Sequence, residues 1–417
     1  MEQKIKLDFE NSLKNSSFSD QEIRSKRNSL SNFLKIGYPN RKLENWKFSD
    51  ISQIIKRSIG EVSYYNDYTT KNEIDETILI KDLEHNKIII VNGKVIKFDF
   101  DYEDKDKIEI TNVDQENVFH DKNNSLINLN NSFADKTYKI IIKKNYSLKK
   151  PLIIYQTTNK KVSNTNINFQ LYFEIHENSS LRIVDMVDNK SEKNFVNIFY
   201  NFNLEKNAIL KNYKLDTKIS SNIKYVFDNI TLSENSISEI FILSSGSNFS
   251  KNEIKCDLEG KYSSAFINGI HSLNNEEHHE IRTHINHLVE NTKSYQLIKS
   301  VIDDSSKSVY QGKIYVDSTA QKTDGYQLSK AILLNENTEF NAKPELEIYA
   351  DDVKCSHGST SGNLDEGSIF YLMSRGLDYK TARELIINGF LLDVVEKITD
   401  EQIKKLVKNI IGLDQWI

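Results

Sequence analysis

The stretch from Phe173 to Ser263 repeats itself loosely, and this limits the folds open to the chain more than any other feature. Phe173-Glu174-Ile175 precedes Glu177-Asn178-Ser179-Ser180-Leu181, and Phe202-Asn203-Leu204 precedes Lys206-Asn207-Ala208-Ile209-Leu210. Ile230-Thr231-Leu232 precedes Glu234-Asn235-Ser236-Ile237, and Cys256-Asp257-Leu258 precedes Gly260-Lys261-Tyr262-Ser263. Each unit reads as strand, polar turn, strand, and recurs every ~26–29 residues. At ~3.3 Å per residue, one unit is long enough to circle a β-solenoid coil once, corners included. Asn, Ser and Gly at the turns suit tight corners. An ordinary β-sandwich of short strands gives similar spacing, so the period leaves both architectures open.

The flanks read differently. Ser19-Asp20-Gln21-Glu22 predicts a helix start, with Ile23, Leu30, Phe33 and Leu34 on one stripe. Pro39 ends that pattern, and Trp46 and Phe48 read as anchors pinning a loop to the rest of the protein. From Lys87 short β-branched runs begin, and Asn92-Gly93 between two of them signals a hairpin. Near the C-terminus Asp365-Glu366, Asp378 and Thr399-Asp400 each suit a helix start, and Gly376 suits a helix end. Part of the wide apolar stripe on these helices is expected to pack on the β core and part to be a docking face.

Among the 417 residues, Lys+Arg number 55 and Asp+Glu 60, a formal net charge of -5, which argues against a nucleic-acid binder. The two cysteines, Cys256 and Cys355, do not make a disulfide framework, and a reducing compartment fits. No apolar run approaches the ~18 residues that a membrane span needs, and no signal-peptide core is visible. The expectation is a cytoplasmic protein with no membrane insertion.

Cys355-Ser356-His357 is the chief candidate for chemistry. Leu346, Ile348 and Ala350 alternate with Glu345, Glu347 and Tyr349 as on a strand. If that strand continues, Cys355 and His357 share a face, roughly 7 Å apart at Cα. Thiolate and neutral imidazole suit thiophilic metals and iron–sulfur clusters, but two ligands do not complete a site. Cys256 reads as buried and structural. The histidines His278, His279, His284 and His287, among Glu276, Glu277 and Glu280, lack an HExxH word and read as a partly exposed strand and turn. Asp303-Asp304 and Asp351-Asp352 are the acids that a carbohydrate-cleaving solenoid would use, though adjacent strand residues point opposite ways. No P-loop or GxSxG elbow is present.

The segment KPELEIYADDVKCSHG, Lys343 to Gly358, with IFYLMSRG after it, resembles the C-terminal signature of the SufB/SufD family of iron–sulfur cluster assembly scaffolds. The resemblance extends through QGKIYVDSTAQKTDGYQLSKAILL, SYQLIKSVIDD, a strand-entry region NSLINLNNSFAD and the word RKLENWKF. Gly358 after His357 fits SufD-like members, where SufB-like members usually carry Glu. The resemblance implies a mainly β fold: a right-handed parallel β-helix over 87–355, flanked by helical domains at 1–86 and 356–417. It implies a non-catalytic scaffold of the SUF machinery that pairs with SufB through the β-helix ends and binds the ATPase SufC through its C-terminal helices. Cys355 and His357 would contribute to iron or a nascent cluster at the subunit interface, with no cofactor held stably by the isolated chain. Phe370, Tyr371 and Arg375 are the expected SufC-facing residues. The alternatives are a SufB-type paralogue, a β-helix enzyme acting on carbohydrate through Asp303 and Asp351, and a structural homodimer.

Overall fold

The computed structural model describes residues 2–14, 16–65, 79–80, 83–113, 117–159, 162–189, 192–216 and 220–412. Three helices open the chain: α1 (Glu2–Lys14), α2 (Asp20–Ile36) and α3 (Ile51–Ser58). The start of α2 is a full capping box, in which Ser19 Oγ accepts from the Glu22 amide at 3.3 Å and Glu22 Oε2 accepts from the Ser19 amide at 2.6 Å. Strands β1 (Asn86–Val91) and β2 (Lys94–Asp99) form the expected hairpin, with Asn92 at φ 52° and Gly93 at φ 81°. Then come β3 (Ile108–Asn112) and α4 (Ser125–Phe133). The strand-entry reading of residues 124–135 is therefore corrected: the Asn124 side chain accepts from the Leu126 and Ile127 amides and starts a helix there.

The core is a two-sheet parallel β-solenoid. One sheet runs β1, β5 (Leu152–Thr158), β7 (Ser180–Asn189), β9 (Ile209–Asp216), β11 (Ile237–Ser244), β13 (Ser264–Leu273), β15 (Lys293–Ile302), β17 (Asp324–Leu333) and β19 (Lys354–Asn363). The other runs β4 (Tyr138–Ile142), β6 (Asn166–Ile175), β8 (Phe195–Leu204), β10 (Ser220–Leu232), β12 (Ser247–Leu258), β14 (His278–His287), β16 (Lys307–Val316) and β18 (Glu339–Ile348). Alternation between sheets at each turn of the chain is what a solenoid requires and a sandwich of hairpins lacks. The repeat seen in the sequence is the coil itself. Phe173, Phe202, Ile230, Cys256, Ile285, Ile314 and Leu346 are register partners on successive strands, 29, 28, 26, 29, 29 and 32 residues apart. The corners at Asn145, Asn178, Asn207 and Asn235 are left-handed, with φ between 56° and 58°. Asn tolerates that conformation better than other non-glycine residues. Successive corner side chains also bond: Asn178 Nδ2 to Asn145 Oδ1 at 2.9 Å and Asn207 Nδ2 to Asn178 Oδ1 at 2.8 Å.

Helices cover the outer faces of the early coils. α1 to α4 lay Phe9, Phe33, Ile51, Ile55, Leu126 and Leu129 on Tyr172, Phe199, Tyr225 and Phe227 of the second sheet. Trp46 is buried against Tyr225, as the anchor reading expects, and Lys251 Nζ lies 4.3 Å from its ring centre. At the other end α5 (Glu366–Ser374), α6 (Tyr379–Val395) and α7 (Glu401–Ile410) begin at the caps Asp365, Asp378 and Asp400. α6 and α7 fold back to place Leu391, Val394, Val395, Ile403 and Val407 on Tyr213, Phe241, Leu243 and Ile270 of the first sheet. Arg182–Asp400 at 2.8 Å and Arg383–Asp303 at 3.1 Å tie them down. Among the described residues no helix is long and apolar enough to cross a membrane.

Candidate metal centre at the open end of the solenoid

The strand bearing Cys355 and His357 is not a continuation of the one before it. β18 ends at Ile348, the chain turns, and β19 starts at Lys354 in the opposite sheet. The helical segment expected from residue 356 begins later, because β19 runs to Asn363. Its sequence, KCSHGSTSGN, has no apolar alternation, since no further coil covers it. The two candidate ligands still share a face, being two residues apart on one strand.

Register shows which face. Cys355 ends the inward column Leu181, Leu210, Ser238, Ala265, Ser294, Gly325. His357 ends the inward column Ile183, Asn212, Ile240, Ile267, Gln296, Gln327. Both side chains therefore point along the solenoid interior at its last coil, where that interior opens to solvent. The thiol sits over Gly325, where an added Cβ would lie 3.4 Å from Sγ. It packs beside Ile314, Val316, Ala320 and Ala350. That burial pushes the Cys355 thiol up, against a lowering hydrogen bond from the Gly325 backbone. A bound cation would have to draw the proton off before the sulfur ligates. His357 is exposed. Among the described residues no group of three or more His, Cys, Asp or Glu is placed to hold a metal ion. The pair thus lies on a strand whose outer edge is unpaired, with no further candidate ligand beside it among the described residues.

The two terminal strands differ. β18 carries Pro344, which has no amide proton, and a charged outer face of Lys343, Glu345 and Glu347, both devices that discourage strand pairing. β19 has no proline and one charged residue, Lys354. On α5, beyond β19, Phe370 is 73% and Tyr371 56% exposed. Arg375 donates to the Tyr371 hydroxyl at 3.2 Å, its guanidinium 5.2 Å from that ring. All three expected docking residues are exposed.

The remaining candidates resolve into structural roles. Cys256 is buried in β12 within the apolar core. The histidine run is β14, a strand as expected, with His278 and His284 partly exposed, and the surface reading is corrected for the inward-facing His279 and His287. His279 and His287 are fully buried; His279 lies 2.8 Å from Ser244 Oγ and 2.7 Å from the Ser247 carbonyl, and His287 2.7 Å from Thr292 Oγ1 and 2.8 Å from Ser294 Oγ. Burial lowers both to about 4. Asp303 follows β15 and Asp351 follows β18, at opposite corners of the solenoid, and Asp303 pairs with Arg383. They do not converge on one groove. What the sequence reading missed is the polar interior: Lys214–Asp228 at 2.7 Å, and Gln296, Tyr310 and Gln327 beneath His357. Their signal is a polar residue at inward positions of successive coils, visible only once the register is known.

Residues 156–390 match the family model described as "SUF system FeS cluster assembly, SufBD core domain". The chain belongs to the SufBD family. It is 28% identical over 395 residues to the iron-sulfur cluster assembly protein SufD of Escherichia coli, covering 92% of this chain and 90% of that one. It is 26% identical over 420 residues to the chloroplastic protein ABCI7 of Arabidopsis thaliana, covering 94% and 86%. A shorter match, 33% identical over 136 residues, covers 33% of this chain and 31% of the SufD protein of Bacillus subtilis. The SufBD match runs from within β5 to within α6, so the solenoid from β6 onward and the Cys-x-His strand lie within it.

Proposed function

We propose that this chain is a SufD-type scaffold without turnover of its own, whose open solenoid end pairs with SufB and supplies ligands to iron or a nascent cluster there. The observation that carries the reading is the placement of Cys355 and His357 two residues apart on the last strand of its sheet, which pairs with β17 on one side only, without further ligands beside them among the described residues. A two-ligand set at an edge is what a partner completes, with iron as cargo rather than a resident cofactor. His357 is the principal ligand and Cys355 the second, a thiolate once metal displaces its proton. SufC docks on α5 and the start of α6, where Phe370 and Tyr371 present apolar surface and Arg375 a charge beside it. Nucleotide-driven movement of SufC would bias the junction between two arrangements.

The test is co-expression with the neighbouring operon products, anaerobic purification and an absorption spectrum. The expected result is a complex containing an ABC-type ATPase, with cluster absorption that His357→Ala abolishes while the subunits still co-purify. Deleting residues after about 360 is expected to release the ATPase. Normal cluster formation by the His357→Ala complex would sink the reading and leave a structural assembly role.

A further inference from the structure

The chain is acidic, with a formal net charge of -5, yet one groove on its surface carries only the opposite sign. It lies between α2 and the turn that leads into α4, and has a volume of about 630 Å³. Its lining includes Arg24, Lys35, His120 and Lys122 and no carboxylate. Like charges gathered without counter-ions repel one another, so such a groove needs a reason. Arg24, Lys35 and Lys122 have no hydrogen bond or ion pair with any described residue. Arg27, on another face of the same helix, is paired twice with Glu10, at 2.6 and 2.9 Å. Asp121, next to Lys122, accepts from the Asn123 amide at 2.9 Å instead.

Both walls are firm. On α2, Arg24, Asn28, Ser31 and Lys35 follow at i, i+4, i+7 and i+11, a single stripe of helix about 16 Å long. The facing wall, residues 119–124, is pinned by three side chains. The Phe119 amide donates to the Tyr172 hydroxyl at 2.8 Å, and Asn131 Nδ2 donates to the Phe119 carbonyl at 2.9 Å. Asn128 Nδ2 donates to the Asp121 and Asn124 carbonyls, at 3.0 and 2.9 Å. Asn131 Nδ2 can only donate, so its 3.4 Å contact with His120 Nδ1 leaves the proton of the neutral ring on Nε2. Desolvation lowers the His120 pKa and keeps that ring neutral. On the floor, Ser29 is 1% exposed and its hydroxyl has no partner. A buried hydroxyl left unbonded is costly.

We propose that this groove binds an oligophosphate, a chain of two or more linked phosphates. The planar Arg24 fork suits two oxygens of one phosphate. Lys122 and the His120 Nε2–H approach from the facing wall, and Ser29 supplies its hydroxyl from below. Lys35, three turns along α2 from Arg24, is too distant for one phosphate to serve both, whereas a chain can. A single carboxylate would answer one of the three cations. The groove belongs to the helices over the second sheet, so the proposal stands apart from the reading of β19.

The test is calorimetric titration of the full chain with inorganic phosphate, pyrophosphate and tripolyphosphate, at low salt and at about 150 mM. Saturable one-to-one binding that tightens from phosphate to tripolyphosphate is expected. Arg24→Gln and Lys122→Gln should each weaken tripolyphosphate about tenfold, and Ser29→Ala about threefold. Lys405→Gln, on α7 over the first sheet, removes the same charge and should change nothing. ATP, titrated in the same way, separates two sources of linked phosphates. Affinity no tighter than that of tripolyphosphate assigns the groove to free oligophosphate, and tighter binding assigns it to a nucleotide. Absence of saturable binding, or equal weakening by Lys405→Gln and Arg24→Gln, overturns the proposal. If Ser29→Ala does not fold, the variants of the exposed Arg24 and Lys122 decide the matter by themselves.

Discussion

The two halves of the solenoid share a backbone path but not a surroundings. Its first coils are enclosed: β2 and β3 close the strand edges by antiparallel pairing, and helices lie on both outer faces. Its last coil has β18 and β19 as unpaired edges, with side chains mostly half-buried or exposed. The inward positions follow the same gradient, from Leu171, Phe173 and Ile183 early to Cys355, His357, Ser359 and Ser361 at the end. Burial is thus concentrated at one end, and the proposed ligands lie at the other. A solenoid permits that division because each coil rests only on its neighbours.

One loop crosses the division. The loop carrying Trp46 reaches along the second sheet, where Lys251 Nζ donates to the Asn45 carbonyl at 2.6 Å and Gln311 Nε2 to the Glu44 carbonyl at 3.1 Å. Glu44 also pairs with Lys343 on β18. Beneath the loop, Lys251 and Glu280 form a fully buried ion pair at 2.6 Å.

Breaking that pair is expected to have the largest effect on the contrast. Glu280→Ala strands the Lys251 ammonium and should cost about 3–5 kcal/mol in urea unfolding. Burial alone would raise the Glu280 carboxyl, but Lys251 and His278 outweigh it and hold it far below the usual range. A depressed acid contributes stability above its unfolded pKa that is lost as pH falls. The difference between wild type and Glu280→Ala should therefore shrink below about pH 4. Next, Phe173→Ala in the enclosed half should cost about 3–5 kcal/mol, and its register counterpart Leu346→Ala in the last coil about 1 kcal/mol or less. Equal losses would erase the distinction between the halves. Third, Lys26 is buried with its Nζ on the Ala134 carbonyl at 2.5 Å, and burial lowers it to about 8. The unfolded chain holds that proton to higher pH than the native one, so stability should rise with pH from about 8 to about 10. Lys26→Met should be more stable at pH 7 by about 1–2 kcal/mol and lose that advantage by pH 10. Fourth, Asn207→Ala at a corner with φ 56° should cost about 1 kcal/mol, and Asn207→Gly less. Smallest of all, Cys355→Ser and His357→Ala should leave the unfolding stability within about 0.5 kcal/mol of wild type, although the second is expected to abolish cluster formation.

Legibility in the sequence follows the same gradient. The coil period was readable because corners need Asn, Ser or Gly and strands between them need β-branched and aromatic residues, as in Phe202-Asn203-Leu204 before Lys206-Asn207-Ala208. Helix starts at Ser19, Asp365, Asp378 and Asp400 were readable because capping is local. α4 was not, since its Asn-rich run is held by buried contacts such as Asn130 Nδ2 to the Phe169 and Asn197 carbonyls, at 3.1 and 2.8 Å. β19 was misjudged because an uncovered strand needs no apolar pattern. Cys355 and His357 were found from residue type and spacing, but the buried amide of Gln327 was not, because its partners Tyr310 and Glu345 lie 17 and 18 positions away along the chain.

The order of the coils also has a consequence for synthesis. The ribosome delivers α1 to α4 and the closing hairpin before the solenoid, so each new coil can lay its strands on an edge already formed. At every moment the unpaired edge belongs to the newest coil, and the next one covers it. Only the last coil, with β18 and the strand carrying Cys355 and His357, keeps its edges open. The strand proposed to hold metal is thus made after every other coil, with only α5 to α7 to follow it.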